Sequence, residues 1–310
     1  MSMSSIAKNS KLSTFFHSLR IGGSRKVSQA KKYTRSKFGN FIYVIFLVGF
    51  GLFSVLPLIY CLVTSFKPLD ELLIFPPRFF VSRPTLQNYF ALPGLLSNLR
   101  IPLSRYIFNS VFISIISTVL YVLLATMAAF VLTKSNLKHK NSVFKVVQYA
   151  LLFNGYTLAI PQYLIFSYLG VVDTYWAYIL PHIATTMGVF LMKQYMEGSI
   201  PDAIMEAARI DGASPYRIFF QIVFPMVKPC CMTLVLFGFR DAWAAVPNGT
   251  IFNESLKTLP TIMAQINAGG IPRSGSAMAV TVIMMIPPII VYMISQSNVL
   301  ESMNSAGIKE

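Results

Sequence analysis

Apolar residues along the chain fall into six long blocks separated by polar or proline-rich stretches, and each block is read as a membrane-crossing helix. Residues 41–66 form the first, longer than the roughly 20 residues a helix needs to cross a bilayer core. Residues 106–132 follow, opened by Arg105 and rich in Ser, Thr and Ala, small groups that let helices approach closely in lipid. The third block, 146–168, carries Asn154, Gly155, Thr157, Pro161 and Gln162; the fourth runs from Tyr175 to Leu191 or a little beyond. Residues 226–245 and 276–297 are the fifth and sixth, the last kinkable at Pro287-Pro288. Between the first two blocks lies a Pro-rich, aromatic loop, 67–104, with the phrase Pro84-Thr85-Leu86-Gln87-Asn88-Tyr89. A second long loop, 246–275, is punctuated by Pro247, Gly249, Pro260, Gly269, Gly270 and Pro272.

Between the fourth and fifth blocks, residues 199–229 break the pattern. They read Ser-Ile-Pro-Asp-Ala-Ile-Met-Glu-Ala-Ala-Arg-Ile-Asp-Gly-Ala-Ser-Pro-Tyr-Arg-Ile-Phe-Phe-Gln-Ile-Val-Phe-Pro-Met-Val-Lys-Pro. Ser199 followed by Asp202, with Pro201 between them, predicts a helix start in which hydroxyl and carboxylate take up free backbone N–H groups. Good helix formers continue to Asp211. Gly212 ends that helix, because a residue without Cβ turns left-handed at little cost. Ser214-Pro215 is a second cap with a first-turn proline, so a new helix begins at once and runs through Phe219 toward the fifth block. The expected product is an angled elbow.

Composition places the chain in a membrane class. Of 310 residues 55% are hydrophobic and only 12% charged, where a soluble domain of this size carries more charge. A net charge of +15 could suggest nucleic acid, but its placement argues otherwise. Nine Lys and Arg from Lys8 to Lys37 precede the first block with no acid before Asp70, and Lys134, Lys138, Lys140 and Lys145 cluster after the second. Basic flanks of this kind mark the cytoplasmic face and place both termini there. Residues 1–40 therefore form a basic cytoplasmic extension, either a tail or a surface-lying amphipathic piece around Phe15 to Ile21. Residues 41–298 form the membrane domain, and 299–310 a cytoplasmic tail. Cys61, Cys230 and Cys231 lie in or beside apolar runs without metal-ligand spacing and are read as packing residues. His17, His139 and His182 are scattered. The chain lacks a phosphate-binding Gly-x-x-x-x-Gly-Lys-Ser/Thr loop and a nucleophile elbow, so the sequence supplies a path without a fuel.

Glu206-Ala207-Ala208, Asp211-Gly212-Ala213, Phe219, Ile222, Pro225 and Pro229 resemble, at fixed spacing, the EAA loop of ABC importer permeases. The Asp-Gly-Ala continuation is similar to the carbohydrate-uptake branch, in particular the smaller permease of maltose-type systems. The resemblance implies an all-α membrane protein of six transmembrane helices with the type I importer fold and a cytoplasmic coupling helix. It also implies a homologous second permease, two ATP-binding cassette subunits that hold ATP and magnesium, and an external solute-binding protein. The cargo it implies is an oligosaccharide taken across a bacterial cytoplasmic membrane; this chain would hold no cofactor or metal, and would be no enzyme.

On that resemblance Glu206, Ala207, Ala208, Asp211, Gly212 and Ala213 meet the ATPase, Glu206 facing an Arg there. A pair between Glu206 and Arg209 on the same helix is the plainer alternative. The ending Gly307-Ile308-Lys309-Glu310 resembles a tail that reaches between the ATPases. Candidates for the path are Asn154, Tyr156, Gln162 and Tyr163 in the third block, Thr185 and Thr186 in the fourth, and Arg240, Asp241, Trp243 and Asn248 around the fifth. Sugars are held by aromatic faces with amide and hydroxyl donors, though the same groups can bond neighbouring helices and Arg240 can pair with Asp241. Two rival readings are a permease for peptides or amino acids and a self-contained secondary transporter. The latter would need ionisable residues inside the spans.

Overall fold

The computed structural model describes residues 37–96, 100–135, 137–153, 155–247 and 249–307; of Lys37, Tyr156 and residues 300–307 it describes the backbone alone. The basic extension before Lys37, and with it the stretch around Phe15, lies outside the described residues. The described residues divide into two units, one ending at Leu56 and one beginning at Pro57. Every regular element among them is helical.

Among the described residues, three helices are long and apolar enough to cross a membrane: Phe38–Ser65, Leu103–Lys134 and Ile271–Val299. Two expected spans are broken. Residues 146–168 divide into helices Lys140–Ala150 and Gly155–Tyr168, separated by tight turns at Leu152 and Phe153. The fourth block divides into Trp176–Ile183 and Thr186–Ser199. Pro181 has no N–H to continue the ladder, and Thr185 Oγ1 donates to the His182 carbonyl at 2.9 Å, offering the backbone an alternative to helix. The fifth block is the 16-residue helix Lys228–Trp243, bent by 79° from the preceding Pro215–Met226. Pro229 cannot donate to the Pro225 carbonyl and its ring crowds that turn, which accounts for the bend.

Helix Leu103–Lys134 is the hub against which Trp176–Ile183, Thr186–Ser199 and Lys228–Trp243 all pack. Its buried stripe recurs every three or four residues and is mostly small or hydroxylic: Ser110, Ser114, Ser117, Ala125, Thr126 and Ala129. Thr118, Thr126 and Thr133 satisfy their hydroxyls on the carbonyl one turn back, at 2.6 to 2.7 Å, whereas the buried hydroxyls of Ser114 and Ser117 have no partner. At its middle, Tyr121 lies between Gly188 and Gly238 of the two neighbouring helices.

The sixth element runs unbroken from Ser274 to Gly307, beyond the expected end of the span at Ser297 and through Pro287 and Pro288. Pro288 frees the carbonyl of Met284, and Trp243 Nε1 donates to that carbonyl at 3.0 Å. A buried indole on one helix thus replaces a backbone bond missing from another. The two long loops are equally built. Asn88 Nδ2 donates to the carbonyls of Ser65 and Lys67, both at 2.8 Å, capping the end of the first helix, while Tyr89 Oη lies 2.8 Å from Ser65 Oγ. Within 246–275, the helix Leu259–Asn267, with Leu259, Pro260, Ile262 and Ile266 buried, packs on Ser274–Gly307, so the loop carries a helix of its own.

Candidate functional site

The elbow begins where Thr186–Ser199 ends. Ser199 closes that helix, and Pro201 occupies the cap position of the next, Asp202–Ile210, with no side-chain cap bond. The expected capping by Ser199 and Asp202 is therefore replaced by an ion pair. Asp202 Oδ1 accepts from Lys134 Nζ at 2.6 Å, and that ammonium also donates to the Ile200 carbonyl at 2.7 Å. Arg209, the alternative partner for Glu206, donates through Nη2 to the Lys134 carbonyl at 2.9 Å.

The helix is anchored on one face and free on the other. Met205 and Ala208 are buried in the cluster that contains Tyr121, Ala125 and Ala129 of the hub, whereas Glu206 and Ala207 are exposed. Gly212, at φ +76°, closes the helix. Its N–H donates to the Arg209 carbonyl and that of Ala213 to the Ala208 carbonyl, both at 3.0 Å, the paired bonds of a left-handed C-terminal stop. Asp211 is exposed beside it, and Ala213 packs against the same cluster. Ser214 Oγ then accepts from the Arg217 N–H at 3.3 Å, with Pro215 in the first turn. A π turn, Phe219–Val223, leads to the bend. Between elbow and hub runs a groove of about 470 Å³ lined by Phe130, Lys134, Met205, Arg209 and Gly212 among others.

Lys134 holds the Asp202 carboxyl below the ordinary aspartate value of 3.8, first by the hydrogen bond and then by its charge, with smaller help from Lys140 and Arg209. A carboxyl whose folded-state value is depressed adds stability above its unfolded value and loses it as pH falls through the folded one. We expect a carbon-13 carboxyl titration of Asp202 to show a midpoint below 3.8, moving up in Lys134→Met. A midpoint at or above that value would count against the pair.

The path candidates are brought together only in part. Arg240, Asp241 and Thr185 line a cavity of about 230 Å³ with Ser117, Tyr121 and His182. Arg240 Nη2 lies 3.3 Å from Asp241 Oδ1. His182 Nδ1 meets the Tyr178 carbonyl at 2.7 Å and Nε2 the Asp241 carbonyl at 3.2 Å, tying Trp176–Ile183 to Lys228–Trp243. Gln162 lines two neighbouring cavities, of about 460 and 780 Å³, with Gly155 and Pro181; Thr186 lines the larger. Tyr163 is exposed, and Trp243 is buried against Phe239 and the Ser274–Gly307 helix, with its indole engaged by Met284. Asn154, Asn248 and Lys309, and the side chain of Tyr156, lie outside what is described; Gly307 ends its helix. Ser117 and Tyr121 were missed because their polarity is ordinary for a span. Only the placing of Tyr121 between Gly188 and Gly238 marks the position.

Among the described residues the elements are helical, with helices apolar and long enough to cross a membrane, which makes this a membrane-protein fold. No protein-family model matches the chain. It is 30% identical over 275 residues to the sulfoquinovosyl glycerol transport system permease protein SmoH of Agrobacterium fabrum, covering 87% of this chain and 93% of that one. It is 30% identical over 281 residues to the arabinooligosaccharides transport system permease protein AraQ of Halalkalibacterium halodurans, covering 84% and 95%. Protein LplC of Bacillus subtilis is 29% identical over 290 residues, covering 86% and 93%. The fold of the present chain is similar to that of a bacterial ABC transporter involved in the import of the acidic polysaccharide alginate, with a TM-score of 0.68 at 21% identity over 85% of this chain and 98% of that one. The chain belongs to the permease family of carbohydrate-uptake ABC transporters.

Proposed function

We propose that this chain is one half of the translocation path of an ATP-driven importer for an oligosaccharide, and that Asp202–Ile210 is its coupling helix. In this reading the broken third and fourth blocks and the bent fifth each cross the membrane, giving six spans with both termini on the cytoplasmic side. A homologous permease completes the path. Two ATPase subunits hold ATP and magnesium, and a solute-binding protein delivers the sugar. The cargoes for which these relatives are named, sulfoquinovosyl glycerol and arabinooligosaccharides, favour sugar over peptide or amino acid.

The observation that carries the reading is the elbow's two-faced construction. One face, Met205 and Ala208, is fixed in the hub's core, and the other leaves Glu206 and Ala207 exposed. Packed interfaces move as rigid bodies between two arrangements, so closure of the ATPases on the free face would shift the spans behind it. Glu206 meets an Arg of the ATPase by a charge-assisted contact. Alternating access follows: ATP-driven closure opens the path outward and hydrolysis reverses it.

Glu206→Lys is expected to abolish solute-stimulated ATP hydrolysis in the reconstituted complex while membrane insertion and permease pairing persist. Stimulated hydrolysis and uptake at wild-type rates would rule out this helix as the coupling point.

A further inference from the structure

The Lys134 side chain is only 7% exposed, yet the carboxylate it meets, Asp202, is 81% exposed. A pair with one partner in water adds little stability, and burying an ammonium is costly. Stability alone therefore gives a poor reason for this lysine, since Met205 and Ala208 already seat the elbow helix in the core. What its bonds do is geometric. The Lys134 ammonium holds Ile200 and Asp202 at the start of the elbow helix, and its carbonyl holds Arg209 in the last turn. Both ends of Asp202–Ile210 are thus fastened to one residue, the last of the hub helix. Lys140 Nζ, 3.3 Å from the Ser135 carbonyl, steadies the same corner.

We propose that Lys134 is a positioning residue that locks the elbow helix to helix Leu103–Lys134, so that the two move as one rigid body. The proposal rests on the coupling role given above to the elbow. Thirteen residues before Lys134 on the same helix, about 20 Å along the axis at 1.5 Å per residue, Tyr121 lines the cavity that also holds Ser117, Arg240 and Asp241. A displacement applied at Glu206 would reach that cavity through one continuous helix, without a bend between.

The test uses the fully assembled importer with Cys61→Ser and spin labels at Val131→Cys and Ile210→Cys, both exposed positions on the two locked helices. With Lys134 intact, the distance distribution should be the same without nucleotide and after ATP trapping. In Lys134→Met its width should roughly double on trapping, since the elbow then moves against the hub, and Lys134→Arg should restore it. Asp202→Asn and Arg209→Gln each remove one tie and carry the same criterion should the methionine variant fail to assemble. A native-width distribution in these variants, or a shift in the parent on trapping, overturns the lock. A second label pair, from Ile210→Cys to the ATPase, separates the two ideas. If that distance ignores ATP the coupling reading fails; if it responds while the variants stay narrow, only the lock fails.

Discussion

Gly188→Ala and Gly238→Ala are each expected to destabilise the folded permease by about 1 to 3 kcal/mol, the usual cost of overpacking a close-packed interior. An added Cβ at Gly188 would lie 2.5 Å from the Tyr121 ring, and one at Gly238 would lie 2.5 Å from its opposite edge. Tyr121 is only 3% exposed and has a glycine against each side of its ring, so either methyl group would force the ring or a helix to shift. Unfolding of the detergent-solubilised complex, followed by denaturant titration, reads the loss. A double-mutant cycle makes the cause specific: in a Tyr121→Ala background the two alanines should cost little, whereas purely additive losses would show that the ring is not the obstacle.

Gly212→Val should have the next largest effect. At φ +76° a β-branched residue is a genuine conformational outlier, costing roughly 1 to 2 kcal/mol. No atom other than its chain neighbours would lie within 4 Å of the new Cβ, so the strain is in the backbone and would open the Gly212 and Ala213 bonds that stop the helix. On the proposed function, uptake should fall about tenfold, the change in an equilibrium that about 1.4 kcal/mol produces, with the protein still inserted and paired. Gly212→Asn, which tolerates the left-handed region, should retain most of the uptake. Equal uptake by the glycine and valine forms would show that the elbow's angle is not used.

Local chemistry was legible wherever a residue's own backbone settles the matter. Gly212 and the Ser214-Pro215 pair punctuate the elbow because a missing Cβ, a free hydroxyl and a fixed φ act within a few residues of themselves. The long apolar blocks at 41–66, 106–132 and 276–297 likewise appear as single helices. What could not be read was pairing across the chain. Ser199 and Asp202 have the spacing of a cap, but Lys134, far back in the sequence, takes the carboxylate. The third and fourth blocks look continuous in hydropathy; Pro181 and the hydroxyl of Thr185 interrupt a ladder that apolar averaging cannot see. Trp243, read as an aromatic face for sugar, is held by a carbonyl that a proline on another helix leaves free. The path residues share this difficulty, since Arg240 and Asp241 acquire neighbours such as Ser117 and His182 only when three helices meet.

The hub also sets a problem for biosynthesis. Asn109 gives its amide hydrogens to the carbonyls of Ser255 and Lys257, accepts from Tyr175, and Ser110 receives the N–H of Leu259. All of those partners leave the ribosome long after the segment that needs them. A nascent chain halted before Ser255 would leave the Asn109 amide hydrogens and the Ser110 hydroxyl without these partners, at a cost of several kcal/mol per group stranded in lipid. Chains truncated before Ser255 are therefore expected to be cleared from the membrane faster than the full chain in a pulse-chase measurement, and equal lifetimes would count against this burden on the hub helix.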